Sequence, residues 1–396
     1  MRIRTRVRTR VRPRLRHLVP VVAALLLGAA PPATAATPAP GPGALAPGDL
    51  VHVEPSAFHP LPGQWTNTRA WKVRYRSTAA DGRPNLVSGT VIVPRDGRTG
   101  PRPLVTYAVG TVGLGDSCAP SANLPYGTAM EANLIQQLTL RGWAVAVTDY
   151  EGLGMPGTHT YTVGPSAGHA MLDIARAAIR LPEAGLGADT PVGVMGYSQG
   201  GQAAGWAAQL SGSYAPELNV KGTAAGGIPA DLMEVADFND GSYGSGLIFM
   251  AAAGQDAAFP ELDLDSYLNP AGKALVGFFE ENCVIVDAVA GSFRKISDLT
   301  TSNPLDRPDW QDRLGRSRLG GTAPAAPVYQ YHALGDELIP YGVGRRLRAD
   351  WCGLGARVQW KTILVGEHVS GVITETASAA SWLADRFAGR PERGDC

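Results

Sequence analysis

The spacing of apolar side chains changes character along the chain. Trp71-Lys72-Val73-Arg74-Tyr75-Arg76 alternates apolar and polar with period two, which predicts a strand with one face on a core, and Leu86 to Val93 predicts its antiparallel neighbour. Beyond residue 100 the alternation fades. Pro103–Val109, Trp143–Thr148, Pro191–Gly196, Lys221–Gly226 and Val328–His332 are short β-rich runs, the pattern of strands covered on both faces in a mostly parallel sheet. Helical periodicity falls between them, over Thr128–Leu140, His169–Arg180 and Gln202–Leu210. Helix 342–351, strand 357–365 and helix 373–387 continue the alternation toward the C-terminus. The predicted fold is therefore α/β, a doubly wound, mostly parallel sheet with helices on both faces.

Residues 230–312 interrupt this pattern. They carry no clear strand and hold 15 acids against four bases, which predicts an inserted, mainly helical cap, with the sheet domain formed by 49–229 and 313–396. Such an acidic surface disfavours anionic substrates and suits neutral ones. Two apolar stretches of the insertion, Gly246–Ala251 and Ala274–Phe279, read as cap core when taken singly, and together they offer Phe249 and Phe278 as linings for an apolar channel.

The N-terminus alters the charge balance. The first 16 residues carry eight Arg and no acid; the apolar stretch Leu18–Gly28 and the small residues Ala33-Thr34-Ala35-Ala36 follow. This order predicts a Sec-type secretory signal over residues 1–36, cleaved near Ala35 or Ala36, followed by a mobile Pro/Gly-rich leader at 37–48. Net charge is zero for the whole chain, but without those eight Arg 27 bases face 35 acids. An acidic mature chain is no electrostatic partner for nucleic acid. With 44% hydrophobic and 18% charged residues the composition is globular, and the longest apolar run, Leu18–Ala30, is shorter than the roughly 20 residues of a membrane span. An integral membrane protein is thus not expected.

Export bears on the four cysteines, Cys118, Cys283, Cys352 and Cys396. None lies in a Cys-x-x-Cys pair, so two disulfides are expected rather than a metal or redox site. Sequence alone permits three pairings.

Gly196-Tyr197-Ser198-Gln199-Gly200 sits where a buried strand gives way to a helix. Gly-x-Ser-x-Gly in that setting predicts a nucleophile elbow, with Ser198 on a strained turn and the Gln199 N–H available to an oxyanion. A serine at its ordinary pKa needs a base, and the base needs an orienting acid, in the order Ser, acid, His on this fold. Only His332 and His368 follow Ser198. His332 falls inside a predicted strand, where a packed or structurally hydrogen-bonded role is expected, whereas His368 falls in a predicted loop and is the candidate base. Asp336, just past the strand 328–332, is the candidate acid, with Glu337 as its neighbouring competitor. The second oxyanion donor is expected from the loop after strand 103–109, with Gly110 and Thr111 as candidates. There is no His-Glu-x-x-His and no Gly-x-Gly-x-x-Gly after the first strand, so neither zinc nor a nicotinamide cofactor is expected.

With these residues in order, the chain resembles the secretory lipase family of yeasts and actinobacteria, the lipase A type. Its marks are Asp116-Ser117-Cys118-Ala119-Pro120-Ser121, Gly196-Tyr197-Ser198-Gln199-Gly200-Gly201, Gly335-Asp336-Glu337-Leu338-Ile339-Pro340 and Glu367-His368-Val369. The resemblance covers roughly residues 50–396. It implies an α/β-hydrolase fold, a triad of Ser198, Asp336 and His368, disulfides Cys118–Cys283 and Cys352–Cys396, and triacylglycerols or other carboxylic esters as substrates. Some members carry an Asp near the position of Val109 or Gly110; this chain does not. The expected protein is a secreted, cofactor-free serine ester hydrolase, a triacylglycerol lipase in the first reading, that can make transient contact with a lipid–water interface. A short-chain esterase or acyltransferase is the alternative within the fold, and a catalytically silent secreted binding protein the remote one.

Overall fold

A computed structural model describes residues 45–396; the expected signal segment and most of the Pro/Gly-rich leader lie outside the described residues. The last leader residues depart from expectation. Gly48 N–H donates to Arg76 O at 2.7 Å, Arg180 reaches Pro47 O, and Ala46 N–H bonds Asp49, so the fold extends back at least to Ala46.

Nine strands form one sheet: β1 (Leu50–Ser56), β2 (Thr68–Thr78), β3 (Pro84–Pro94), β4 (Leu104–Ala108), β5 (Ala144–Thr148), β6 (Val192–Tyr197), β7 (Val220–Gly226), β8 (Val328–Ala333) and β9 (Val358–Ile363), in the spatial order β1-β2-β3-β5-β4-β6-β7-β8-β9. The first three strands and the β3–β5 pair are antiparallel; the rest of the sheet is parallel. Every residue of β4, β5 and β6 is buried, which is why their sequences lack alternation. The edge strand β1 had no such signature. Val51 and Val53 on it face solvent, so periodicity had no buried face to report.

Helices cover both faces. Gly164–Arg180 packs beside Gln199–Tyr214, and Gly205 of the latter lies against Trp351 of helix Tyr341–Gly353. Ala132–Thr139 and His368–Phe387 pack together on the other face. The helix expected from His169 begins five residues earlier, at Gly164, because Pro165 opens it and its first turns are small residues with little hydrophobic rhythm. The helix expected over Thr128–Leu140 is confined to Ala132–Thr139, after a left-handed Gly127.

Between β7 and β8 the chain is helical, with Leu232–Asn239, Gly246–Ala258, Pro270–Glu281, Val284–Gly291 and Pro308–Arg316 as its longer pieces. Phe249, Met250, Phe279, Ile296 and Trp310 belong to an apolar cluster separate from that of the sheet. The expected boundary at 312 cuts the last of these helices, whose Leu314 still belongs to the helical cluster, while Leu319 joins the sheet's. Charge density marked that boundary, and charge does not follow packing.

Candidate active site

Ser198 is the single residue between β6 and the helix Gln199–Tyr214, with φ 59° and ψ −123°. A side-chain-bearing residue at positive φ is strained, and the surrounding glycines make it feasible. A Cβ at Gly196 would lie 2.1 Å from Gly200 O, and one at Gly200 2.0 Å from Ala108 O. The turn can thus press against the end of β4 only with glycine at both positions. Ser198 N–H donates to Gly226 O at 3.0 Å, tying the turn to β7. Gln199 N–H, the first of the helix, has no intrahelical acceptor.

His368 Nε2 lies 2.8 Å from Ser198 Oγ, and its Nδ1 2.7 Å from Asp336 Oδ2. His368 does not sit in a loop as expected but is the first residue of helix His368–Phe387. Glu367 caps that helix, accepting from the Val369 and Ser370 N–H groups, so the imidazole is carried on a fixed terminus. Asp336 Oδ1 accepts from the N–H groups of Leu338 and Ile339 at 3.1 and 2.8 Å. Burial alone would raise the Asp336 carboxyl, but hydrogen bonds from His332 and His368 outweigh it and hold the group well below the usual carboxylate range. It is an anion at neutral pH. Glu337, the competing acid, accepts the backbone N–H of His368 at 3.0 Å and makes no bond to the imidazole.

His332 lies in β8, as expected, and is fully buried. Its Nε2 stands 3.0 Å from Ile339 O and 3.2 Å from Asp336 Oδ2. Both are acceptors, so Nε2 carries the proton, and His332 supports the acid from behind. Sequence reasoning expected a packed or structurally hydrogen-bonded histidine here without naming Asp336 as its partner; its place four residues before Asp336, at the end of the same strand, was the signal available.

The two oxyanion candidates separate. Gly110 N–H donates to Glu131 Oε1 at 2.6 Å and is not free for substrate, which corrects its candidacy. Thr111 Oγ1 is 2.7 Å from Tyr161 Oη, while no acceptor among the described residues takes its N–H. Next to Ser198, the Gln199 side-chain amide Nε2 lies 2.9 Å from His159 Nε2, which leaves the Gln199 backbone N–H untouched. Burial lowers His159 to about 4, so the ring is neutral; its Nδ1 faces Glu151 O at 3.1 Å and carries the proton, leaving Nε2 to accept from Gln199.

Above Ser198 opens an apolar cavity, lined by Ser198, Gln199, Leu247, Ile248, Phe249, Leu268 and Trp310 among others. The stretch Gly246–Ala251 therefore contributes to it. The stretch Ala274–Phe279 does not: helix Pro270–Glu281 buries Gly272, Val276 and Phe279 at helical spacing and turns Phe278 to solvent. Both disulfides are formed, Cys118–Cys283 and Cys352–Cys396, each with Cα atoms 5.6 Å apart. The first fastens the loop after β4 to the helical segment, where Val284 N–H also bonds Val112 O. The second holds the C-terminal residue beside β9. Each closure contributes roughly 3 to 5 kcal/mol in the chain-entropy account. Among the described residues no group of three or more His, Cys, Asp or Glu side chains could hold a metal ion, and no helix is long and apolar enough to cross a membrane.

Strand order, elbow and helical insertion define an α/β-hydrolase, and by class a serine ester hydrolase. The fold superposes on Candida antarctica lipase A in its closed state with a TM-score of 0.81 at 23% identity, covering 89% of this chain and 85% of that one. It also matches the rice cell wall degrading esterase LipA of Xanthomonas oryzae, with a TM-score of 0.67 at 17% identity, covering 88% and 100%. At such identities the likeness concerns the fold. The family follows from sequence: residues 119–395 match the model of the secretory lipases, and the chain belongs to that family. A secreted triacylglycerol lipase of Malassezia globosa is 31% identical over 83% of this chain and 72% of its own. A protein of Mycobacterium tuberculosis named as a probable inactive lipase is also 31% identical, over 81% and 74%.

Proposed function

We propose that the protein hydrolyses neutral carboxylic esters of medium and long acyl chains, triacylglycerols among them, with Ser198 as nucleophile, His368 as general base and acid, and Asp336 as the carboxylate that orients His368. The observation that carries this is the Ser198 hydroxyl, 2.8 Å from an imidazole backed by a buried carboxylate, at the floor of an apolar cavity. As Ser198 Oγ attacks the ester carbonyl, its proton passes to His368 Nε2, and Asp336 stabilises the imidazolium. The carbonyl oxygen becomes an oxyanion, which accepts from Gln199 N–H at the positive end of helix Gln199–Tyr214. Collapse expels the alcohol, which takes the proton from His368. Water, deprotonated by His368, then releases the acid from the acyl-serine.

A substrate acyl chain in the cavity gains about 0.8 kcal/mol per methylene buried, which supports chain-length selectivity. The helical segment 230–312 is proposed to act as a cap over the strand ends, and apolar side chains exposed on it, Ile285, Val289 and Phe293 among them, suit transient contact with a lipid–water interface. Two disulfides fit an oxidising compartment; we propose export with cleavage near Ala35 or Ala36, which N-terminal sequencing of secreted protein checks. The test of the function is an ester series from two to sixteen carbons, kept below solubility limits. Efficiency rising through the medium range is expected; a maximum at two carbons turns the reading to the short-chain esterase.

A further inference from the structure

Three consecutive residues beyond β4 are each held by a different side chain. Tyr150 Oη donates to Val109 O at 2.5 Å, Glu131 accepts from Gly110 N–H, and Tyr161 meets the Thr111 hydroxyl. Glu131 is the unusual member. It occupies the N-cap of helix Ala132–Thr139, a position where a short polar side chain ordinarily accepts from its own helix. Its side chain makes no such bond. It turns instead toward the sheet, where Tyr107 Oη donates to Oε2 at 2.5 Å and Gly110 N–H to Oε1 at 2.6 Å. The site lies close to the nucleophile: a Cβ built on Gly110 would stand 3.0 Å from Glu131 Oε1 and 3.7 Å from Ser198 Cβ. Burial raises the Glu131 carboxyl, against the pull of its two donors.

We propose that Glu131 is a positioning residue for ester hydrolysis: by taking the Gly110 N–H it sets the following peptide so that Thr111 N–H is the second oxyanion donor. The role rests on the hydrolase reading above. It follows from the loop's chemistry. Gly110 cannot serve both Glu131 and substrate, Thr111 N–H is uncommitted, and the Thr111 side chain is already fixed by Tyr161. A donor of this kind counts only if it is held before the reaction, because reorganising it during attack forfeits most of its effect.

The experiment uses the secreted full-length enzyme, a soluble short-chain ester, and a trifluoromethyl ketone, which adds Ser198 Oγ and leaves a tetrahedral oxyanion. Glu131→Ala is expected to lower kcat at least about tenfold with KM changed less than about twofold, and to weaken the ketone by a similar factor. Glu131→Gln keeps an acceptor for Gly110 N–H, so kcat and ketone affinity are expected to stay within about threefold of the parent enzyme. Should the Ala variant not fold, Tyr107→Phe removes the other anchor of the carboxyl and is expected to lower kcat and ketone affinity together, by a few-fold. Unchanged kcat and ketone affinity in a folded Glu131→Ala variant, or in Tyr107→Phe in its place, would overturn the role, as would a Gln variant as impaired as Ala. A parent enzyme that neither turns over the ester nor reacts with the ketone overturns the hydrolase reading itself, and this role with it.

Discussion

On one side of Ser198 the groups that meet it are side chains, His368 and behind it Asp336, each within 2.8 Å of the next. On the other side the proposed donors are the backbone N–H groups of Gln199 and Thr111, and around them Glu131 takes the Gly110 N–H, Tyr161 meets the Thr111 hydroxyl and His159 meets the Gln199 side-chain amide. A proton relay needs particular side chains, so residue identity specifies it. An oxyanion donor is a peptide group any residue supplies, so what specifies it is the packing that turns the peptide. The same division separates what each side tolerates. Substitution on the relay removes chemistry outright, whereas substitution behind the oxyanion loop displaces a donor that is still present.

The relay side gives the largest effects. Ser198→Ala and Asp336→Asn are each expected to lower turnover by about three orders of magnitude in protein that is secreted and folds normally. Glu337→Gln is expected to stay within a few-fold, since Glu337 touches only the His368 backbone. Assays of the three variants on one soluble ester decide the matter: Glu337→Gln as damaging as Asp336→Asn would erase the distinction between the adjacent acids.

Effects of middle size come from the cavity. Phe249 lines it and is buried, while Phe278 faces solvent. Phe249→Gln is expected to lower the ratio of kcat/KM for ten-carbon over two-carbon esters by about tenfold, which is under two methylenes' worth of burial. Phe278→Gln should leave the ratio unchanged. Equal effects of the two would remove the cavity from acyl binding.

The last effect leaves catalysis untouched and concerns stability alone. Asp287 on helix Val284–Gly291 is fully buried, neither carboxylate oxygen has a hydrogen-bond partner among the described residues, and burial raises it to about 7. An unfolded Asp ionises near roughly 3.9. Between that pH and about 7 the unfolded state therefore sheds a proton that the folded state keeps, and stability falls as pH rises. Thermal unfolding at pH 4.5 and 7.5 is expected to show Asp287→Asn gaining on the parent by several degrees at the higher pH, with chain-length preference unaltered. A gain that is the same at both pH values would contradict the buried, neutral Asp287.

Legibility in the sequence divides along the same line as the chemistry. The buried strands β4, β5 and β6 announced themselves by continuous apolar runs and β2 by alternation, because burial on two faces or one leaves those marks. The exposed edge β1 alternates only over Val51-His52-Val53-Glu54, and there the apolar side chains face solvent. Ser198, Asp336 and His368 were readable since their types and order on strand ends are constrained, and the glycines around Ser198 because only they fit. Glu131, His159 and Tyr161 were not, for they act through tertiary contacts 21 to 50 residues away in sequence. Gly110 was misread for the related reason that a free N–H and one already bound to a carboxylate look alike in sequence. Phe278 and Phe279 are adjacent and equally apolar; only the facing of the helix separates solvent from core.

The relay at Ser198 is the centre of the account, and covalent labelling tests it most directly. Purified secreted protein treated with an alkyl p-nitrophenyl phosphonate, then digested and mapped by mass spectrometry, is expected to carry one phosphonyl group per chain, on Ser198, with p-nitrophenol released in step. Asp336→Asn should label far more slowly and Ser198→Ala not at all. A parent protein that takes up no label, or takes it on another residue while Ser198→Ala labels as fast, would contradict the account.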